Sequence, residues 1–168
     1  FKPMVRYEKL TIVYHGRIDA NRGVLALPML LQRTINLGLS CRLIMIGEGD
    51  AFGKIKNMTS INKDIELHPT MPQTKLANII SRCHVGLLPM PNSKVWRIAS
   101  PLKRNEYVAS GLTIFGINHE GHRFKDTSQP DWMKLVEQTN FHEEGAQWLN
   151  TLDSNKIEFL GQEAREFA

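Results

Sequence analysis

A doubly wound α/β layer, with a mainly parallel sheet and helices on both faces, is the architecture this sequence predicts. Three observations predict it. Short β-branched and apolar runs recur along the chain, stretches of helical apolar spacing separate them, and the turns between are rich in Gly, Pro and Asn. Strand and helix in alternation call for parallel pairing, because each helix supplies the right-handed crossover between two strands of one sheet. The chain has 168 residues, 42% of them apolar and 23% charged, which suffices for one core; a single domain over 1–168 is the simplest division.

Taken in order, LTIVYHG (10–16) is a β-branched and aromatic run closed by glycine and reads as a buried strand. From Asn21 to Asn36, Val24, Leu27, Leu30, Leu31 and Ile35 fall at helical spacing, and Gly38 ends the run. CRLIMIG (41–47) is a second buried strand, stopped by the turn GEGD. Residues 50–62 are a helix candidate, IEL (65–67) is a short third strand, and Pro69 and Pro72 bracket a loop.

Helical spacing resumes at Gln73 through Leu76, Ile79 and Ile80, and VGLLP (85–89) follows as a fourth strand. PNSKVWRIAS (91–100) reads as a polar loop. SPLKRNEYVASG (100–111) reads as a helix, with Ser100 as cap, Pro101 at the first helical position and Gly111 in the left-handed conformation that stops it. LTIFGI (112–117) makes a fifth strand, MKLVEQ (133–138) a shorter sixth, and two closing helices fall near 143–152 and 157–167.

No apolar run approaches the roughly 18 residues of a membrane span. The start FKPMVRYEKL lacks the apolar centre of a secretory signal and an initiating Met, which reads as a processed product or an excised piece. The formal charge of +4 and pI near 9.2 suit an anionic ligand. The basic residues are scattered instead of forming a stripe, so nucleic acid is not favoured. Cys41 and Cys83 form neither a disulfide framework nor a metal cluster and read as buried thiols in a reducing cytoplasm.

In such a sheet, ligands bind beyond the carboxyl ends of the strands, so the loops after residues 15, 46, 67, 89 and 117 should carry function. In HGRIDANRGV, Arg17 and Arg22 flank the entry to the first helix, where the helix dipole and free amides already favour an anion; two guanidiniums there suit a pyrophosphate. Solvated surface arginines are the alternative. GEGD has the close-approach glycines but not the third glycine of a dinucleotide fingerprint, and no phosphate loop ending in Gly-Lys-Ser/Thr exists. Both absences argue against a nicotinamide oxidoreductase or a P-loop phosphatase.

At the start of the helix after Pro101, the amides of Leu102 and Lys103 have no intrahelical partner and offer a second anion site. One turn on, Glu106 can accept two hydrogen bonds from vicinal hydroxyls such as those of a ribose; pairing with a neighbouring Lys or Arg is the alternative. His119 and His122, with Glu120 between them, have a spacing seen in metal sites, but two ligands in a loop rarely make one, and no metal is expected. His15 ends the first strand as a ligand contact or a structural histidine. Trp96, Trp132 and Trp148 form no stacking row.

At this level of detail the sequence resembles the C-terminal half of group 1 (family 4) glycosyltransferases, the retaining class with the GT-B fold. "TIVYHGRIDANRG" looks like the family's strand and Gly-Arg turn, "CRLIMIGEGD" like its strand ending in Gly-x-Gly, and "SPLKRNEYVASGLTIFG" like its Pro-x-Lys-x-x-Glu-Tyr-x-Ala-x-Gly signature; "GQEAREFA" is similar to the closing helix. The resemblance covers almost the whole chain and implies a Rossmann-like domain, one half of a GT-B fold, that binds a nucleotide-diphosphate sugar. Gly16, Arg17 and Arg22 would border or hold the diphosphate together with the amides of Leu102 and Lys103. Glu106 matches the second Glu of the family's Glu-x7-Glu motif, which binds the donor ribose, and His68, Pro69 and Met71 match the loop that lines the nucleobase.

The resemblance implies neither metal nor cofactor, because cationic side chains and helix dipoles stabilise the leaving diphosphate. It leaves the catalytic residue unassigned. It also implies an N-terminal acceptor domain that is absent from this chain, an acceptor of unknown kind (lipid carrier, glycan or protein), and a cytoplasmic location, with peripheral membrane contact through that domain left open. Without that domain the chain is expected to be inactive. The sequence departs from the pattern at three places. Arg22 stands for the usual Lys, Pro69 for a frequent Gly, and Ile98 for the first Glu of Glu-x7-Glu, which normally holds hydroxyls of the donor sugar. The last departure keeps two other readings open, a non-catalytic regulatory or assembly domain of the same fold and half of a sugar-nucleotide epimerase.

Overall fold

The computed structural model describes residues 1–99, 101–125 and 128–168. Six strands, β1 (Leu10–His15), β2 (Cys41–Ile46), β3 (Ile65–His68), β4 (Val85–Leu88), β5 (Thr113–Ile117) and β6 (Met133–Val136), form one sheet in the order β3-β2-β1-β4-β5-β6. Every pairing is parallel. This is the Rossmann-like, doubly wound α/β architecture that the alternating pattern predicts. The central strand shows why: all six residues of LTIVYH are buried, as a strand covered on both faces requires.

The helices are α1 (Ala26–Asn36), α2 (Phe52–Ile61), α3 (Gln73–Ile80), α4 (Lys94–Arg97), α5 (Leu102–Ala109), α6 (Phe141–Asn150) and α7 (Ser154–Phe167). α1 packs on α6, and α5 on α7. Two glycines show that these pairs lie on opposite faces. A Cβ at Gly86 of β4 would fall 2.3 Å from the ring of Tyr107 in α5, whereas a Cβ at Gly145 of α6 would fall 2.7 Å from the ring of Phe115 in β5. Gly86 is in register with Ile114, the neighbour of Phe115, and successive strand residues point to opposite faces.

Three local expectations are corrected. The helix expected from Asn21 is broken: Ala20–Arg22 form a 3-10 turn, Gly23 takes φ +74, and α1 starts at Ala26. A Cβ at Gly23 would lie 2.2 Å from the carbonyl oxygen of Pro89, so the chain has to turn there to pass β4. Pro101 is the N-cap of α5, not its first helical residue. Its ring fixes φ at −72, but ψ is extended at 114, and its carbonyl already accepts from the Arg104 amide at 3.0 Å. The 91–100 loop contains the short helix α4. The Ser100 cap lies outside the described residues. Gly111 has φ +71 just after α5, as expected of a helix stop.

The chain steps outward from β1 through β2 to β3, then returns to place β4 on the other side of β1. The switch point, and the crevice it opens, therefore lies between the loops that follow β1 and β4. Cys41 and Cys83 are buried free thiols, and burial pushes both pKa values up to about 12. Neither is a thiolate at neutral pH. Among the described residues no helix is long and apolar enough to cross a membrane.

Candidate functional site

A cleft of about 420 Å3 opens at the switch point. Its floor is the end of β1, where His15 is followed by Gly16 at φ +116. The loops after β1 and β2 interlock there. Gly16 donates its amide to Ile46 at 2.9 Å, and a Cβ at Gly47 would fall 1.8 Å from the Gly16 carbonyl oxygen. A Cβ at Gly49 would fall 2.3 Å from the carbonyl oxygen of Ile18. The close approach that GEGD permits is thus to the neighbouring backbone.

One wall of the cleft is α5. Tyr107, flat against Gly86, donates its hydroxyl to the Val13 carbonyl and accepts from the His15 amide, each at 3.4 Å. This anchor carries the adjacent Glu106 to the cleft, where its Oε2 lies 3.0 Å from Nε2 of His15. The carboxylate therefore pairs with a histidine, where the sequence suggested Lys or Arg as the alternative to ribose. The close approach of the His15 imidazole holds the Glu106 pKa down against the opposing effect of burial, helped by the charge of Lys103.

Lys103, read from sequence only through its amide, contributes its side chain as well. It reaches back so that Nζ would lie 3.5 Å from a Cβ on Gly16, and stands 5.5 Å from the centroid of the Tyr14 ring. Burial, reinforced by Arg22 and opposed by Glu106, lowers its pKa to about 8. The second wall is the 91–99 segment. Trp96 lies under the Arg22 guanidinium at 4.8 Å and donates its indole N–H to the Asn21 carbonyl at 3.3 Å, holding Arg22 toward the cleft.

Of the predicted site residues, Gly16, Arg22, Leu102, Lys103 and Glu106 line this one cleft. Leu102 is 77% exposed at its mouth. Arg17 turns away to Asp19, with Nη2–Oδ1 3.0 Å and Nε–Oδ2 3.1 Å, and its side chain is 61% exposed at the rim. The Arg17 hydrogen bond, followed by that from the Asp50 amide, lowers the Asp19 pKa. His68 ends β3 and Pro69 and Met71 follow it, two strands away from β1. His68 Nε2 lies 2.6 Å from Glu66, Pro69 is exposed and Met71 is half-buried. Ile98 is 83% exposed and puts no polar group into the cleft.

His15, Trp96 and His122 also line the cleft. His119 and His122 are buried, with ring centroids 3.8 Å apart. Among the described residues no group of three or more His, Cys, Asp or Glu is placed to hold a metal ion. A larger hollow, about 980 Å3, lies at the other end of the sheet against Leu10, Ser40, His84 and Gly111. It is the amino-end face, where sheets of this kind do not bind their ligands, and it mixes Arg6 and Arg165 with Glu8, Asp153, Glu158 and Glu166.

Fold and cleft together define a Rossmann-like α/β domain with a cationic pocket at its switch point. The sequence matches no known family profile and no curated protein sequence. Solved structures do match. TarM of S. aureus, in a complex that contains UDP, superposes with a TM-score of 0.76 at 12% identity, covering 99% of this chain and 33% of that one. The C-terminal domain of a group 1 glycosyl transferase, LpcC from Francisella tularensis, gives a TM-score of 0.74 at 14% identity, covering 96% of this chain and 85% of that one. The catalytic domain of cholesterol-alpha-glucosyltransferase from Helicobacter pylori gives 0.67 at 16% identity, covering 94% and 95%. The chain has the fold of a GT-B half-domain and spans about a third of the length of TarM.

Proposed function

We propose that this domain binds the donor of a glycosyltransferase, a nucleotide-diphosphate sugar, and contributes to retaining, metal-independent transfer once a second, acceptor-binding domain closes over the cleft. The observation that carries this reading is the convergence of the Arg22 and Lys103 side chains, the free amides at the start of α5 and the Glu106 carboxylate on one cleft at the switch point. Cations and amides suit a diphosphate. Glu106 suits the hydroxyls of the adjoining ribose, which would share or displace its contact with His15. Uridine is the first base to test, since TarM, of like fold, holds UDP. The two buried thiols favour a reducing, cytoplasmic setting.

Titration of the domain with UDP, GDP and ADP and their sugar conjugates, followed by ligand-observed NMR, tests the proposal. One nucleotide should bind weakly, and Arg22→Ala or Glu106→Ala should weaken it by about 10- to 100-fold, the size expected for losing one charge-assisted contact. The reading fails if no nucleotide binds or if both variants bind as the parent does. The exposed, apolar Ile98 favours one other reading, a non-catalytic domain that keeps the fold. Under that reading Glu106→Ala leaves the function of the full-length protein intact.

A further inference from the structure

His122 lies in the cleft with no part in the nucleotide contacts above. Its ring is 0% exposed, yet it borders the cleft that Lys103 and Glu106 also line. Nδ1 lies 2.6 Å from the carbonyl oxygen of Ile117. A carbonyl oxygen only accepts, so Nδ1 carries the proton and Nε2 keeps its lone pair. That Nε2 has no hydrogen-bond partner among the described residues. Leaving a buried acceptor unsatisfied is unfavourable, which points to a donor supplied from outside the chain.

The ring is also held in place from several sides. It packs against His119 with the two ring planes tilted by 36°, and His119 Nε2 lies 3.1 Å from the Met90 carbonyl oxygen. Arg104 Nη1 donates to the carbonyl oxygens of His122 at 3.2 Å and Gly121 at 3.4 Å. Gly121 seats the loop directly on the opposite wall, since a Cβ there would fall 2.0 Å from the Trp96 carbonyl oxygen and 2.6 Å from that of Ala99. A side chain fixed in this way is organised before its ligand arrives.

The chemistry of the missing partner follows from the charge state. Burial, then the neighbouring His119 and the cations Lys103 and Arg104, push the His122 pKa down to about 3, so the imidazole stays neutral. A neutral acceptor has nothing to offer a phosphate oxygen, which brings no proton. A hydroxyl does bring one. Building on the donor-binding reading, we propose that Nε2 of His122 accepts a hydrogen bond from a hydroxyl of the donor sugar, supplying the acceptor that Ile98 lacks. His122 is then a residue that selects and orients the sugar, while the nucleotide is held elsewhere in the cleft.

The test compares, for the parent domain and His122→Phe, the affinity of the best-bound nucleoside diphosphate with that of its glucose, galactose and N-acetylglucosamine conjugates. The ratio of conjugate to nucleotide affinity should fall about three- to tenfold in the variant for at least one sugar. An unchanged ratio for all three overturns the proposal. A second measurement on the unaltered domain guards against misfolding of the variant. In the 15N spectrum of its histidines, His122 should show an unprotonated Nε2 whose resonance moves with the sugar conjugate and not with the nucleoside diphosphate alone. Equal movement with both, or none with either, overturns it. If no nucleotide binds at all, the donor-binding reading has failed and this inference falls with it, an outcome distinct from nucleotide binding with an unchanged ratio.

Discussion

Lys103 is the residue whose chemistry depends most on its surroundings. Its ammonium is charged below about pH 8 and neutral above, because burial and Arg22 together outweigh the help from Glu106. A diphosphate in the cleft adds negative charge beside it, favours the protonated form and raises its pKa. Binding therefore takes up a proton near pH 8.5, and affinity falls as the pH climbs from about 8 toward the higher pKa of the complex. Calorimetry in two buffers of different ionisation enthalpy should reveal that uptake. Lys103→Met should abolish it and weaken nucleotide binding about 10- to 100-fold. A proton balance of zero in the unaltered domain contradicts this account of the site.

At the scale of elements, Tyr107 on Gly86 seats α5 against the sheet, beside its packing on α7. Gly86→Ala puts a methyl into that ring and should cost about 1–3 kcal/mol by overpacking, read as a lower urea midpoint. Since Glu106 moves with Tyr107, nucleotide affinity should fall too. Gly53→Ala is the contrasting case: it lies in α2, a Cβ there meets nothing within 4 Å, and its φ is not positive. That change should stabilise by about 0.4–1 kcal/mol through the unfolded chain.

The central strands β1, β2, β4 and β5 were legible in the sequence because each is a short, largely apolar run with both faces covered, a pattern that needs no tertiary information. Helix α4 was not, since four polar-flanked residues carry no period to detect. The break at Gly23 was hidden for a different reason. Only the folded structure shows that Pro89 passes close enough to demand it.

For the whole molecule, the proposed donor-binding role makes the cleft a half-site. Its cations and carboxylate come from α5 and the turn after β1, while no described residue is assigned to activate an acceptor. The domain alone should therefore release no nucleoside diphosphate from a donor sugar above the uncatalysed background, even at concentrations where it binds the donor. Transfer by the 168-residue chain, detected as glycosylated acceptor, contradicts that expectation. Much of the pocket could be anticipated from sequence, because the resemblance pointed to Arg22, Lys103 and Glu106 and the fold brings them together. The pairing of His15 with Glu106 and the setting of His122 in the cleft could not. Each depends on a partner on another element, Glu106 for one and the Arg104 clamp for the other.

The interlocked turns after β1 and β2 have a mechanical consequence. With the Gly16 carbonyl already filling the space a methyl at 47 would need, that side of the pocket has no slack and acts as an anvil. The room left for a guest is therefore set by the opposite side, where Val95 and Ile98 stand in solvent while Trp96 is tied down by Asn21 and Arg22.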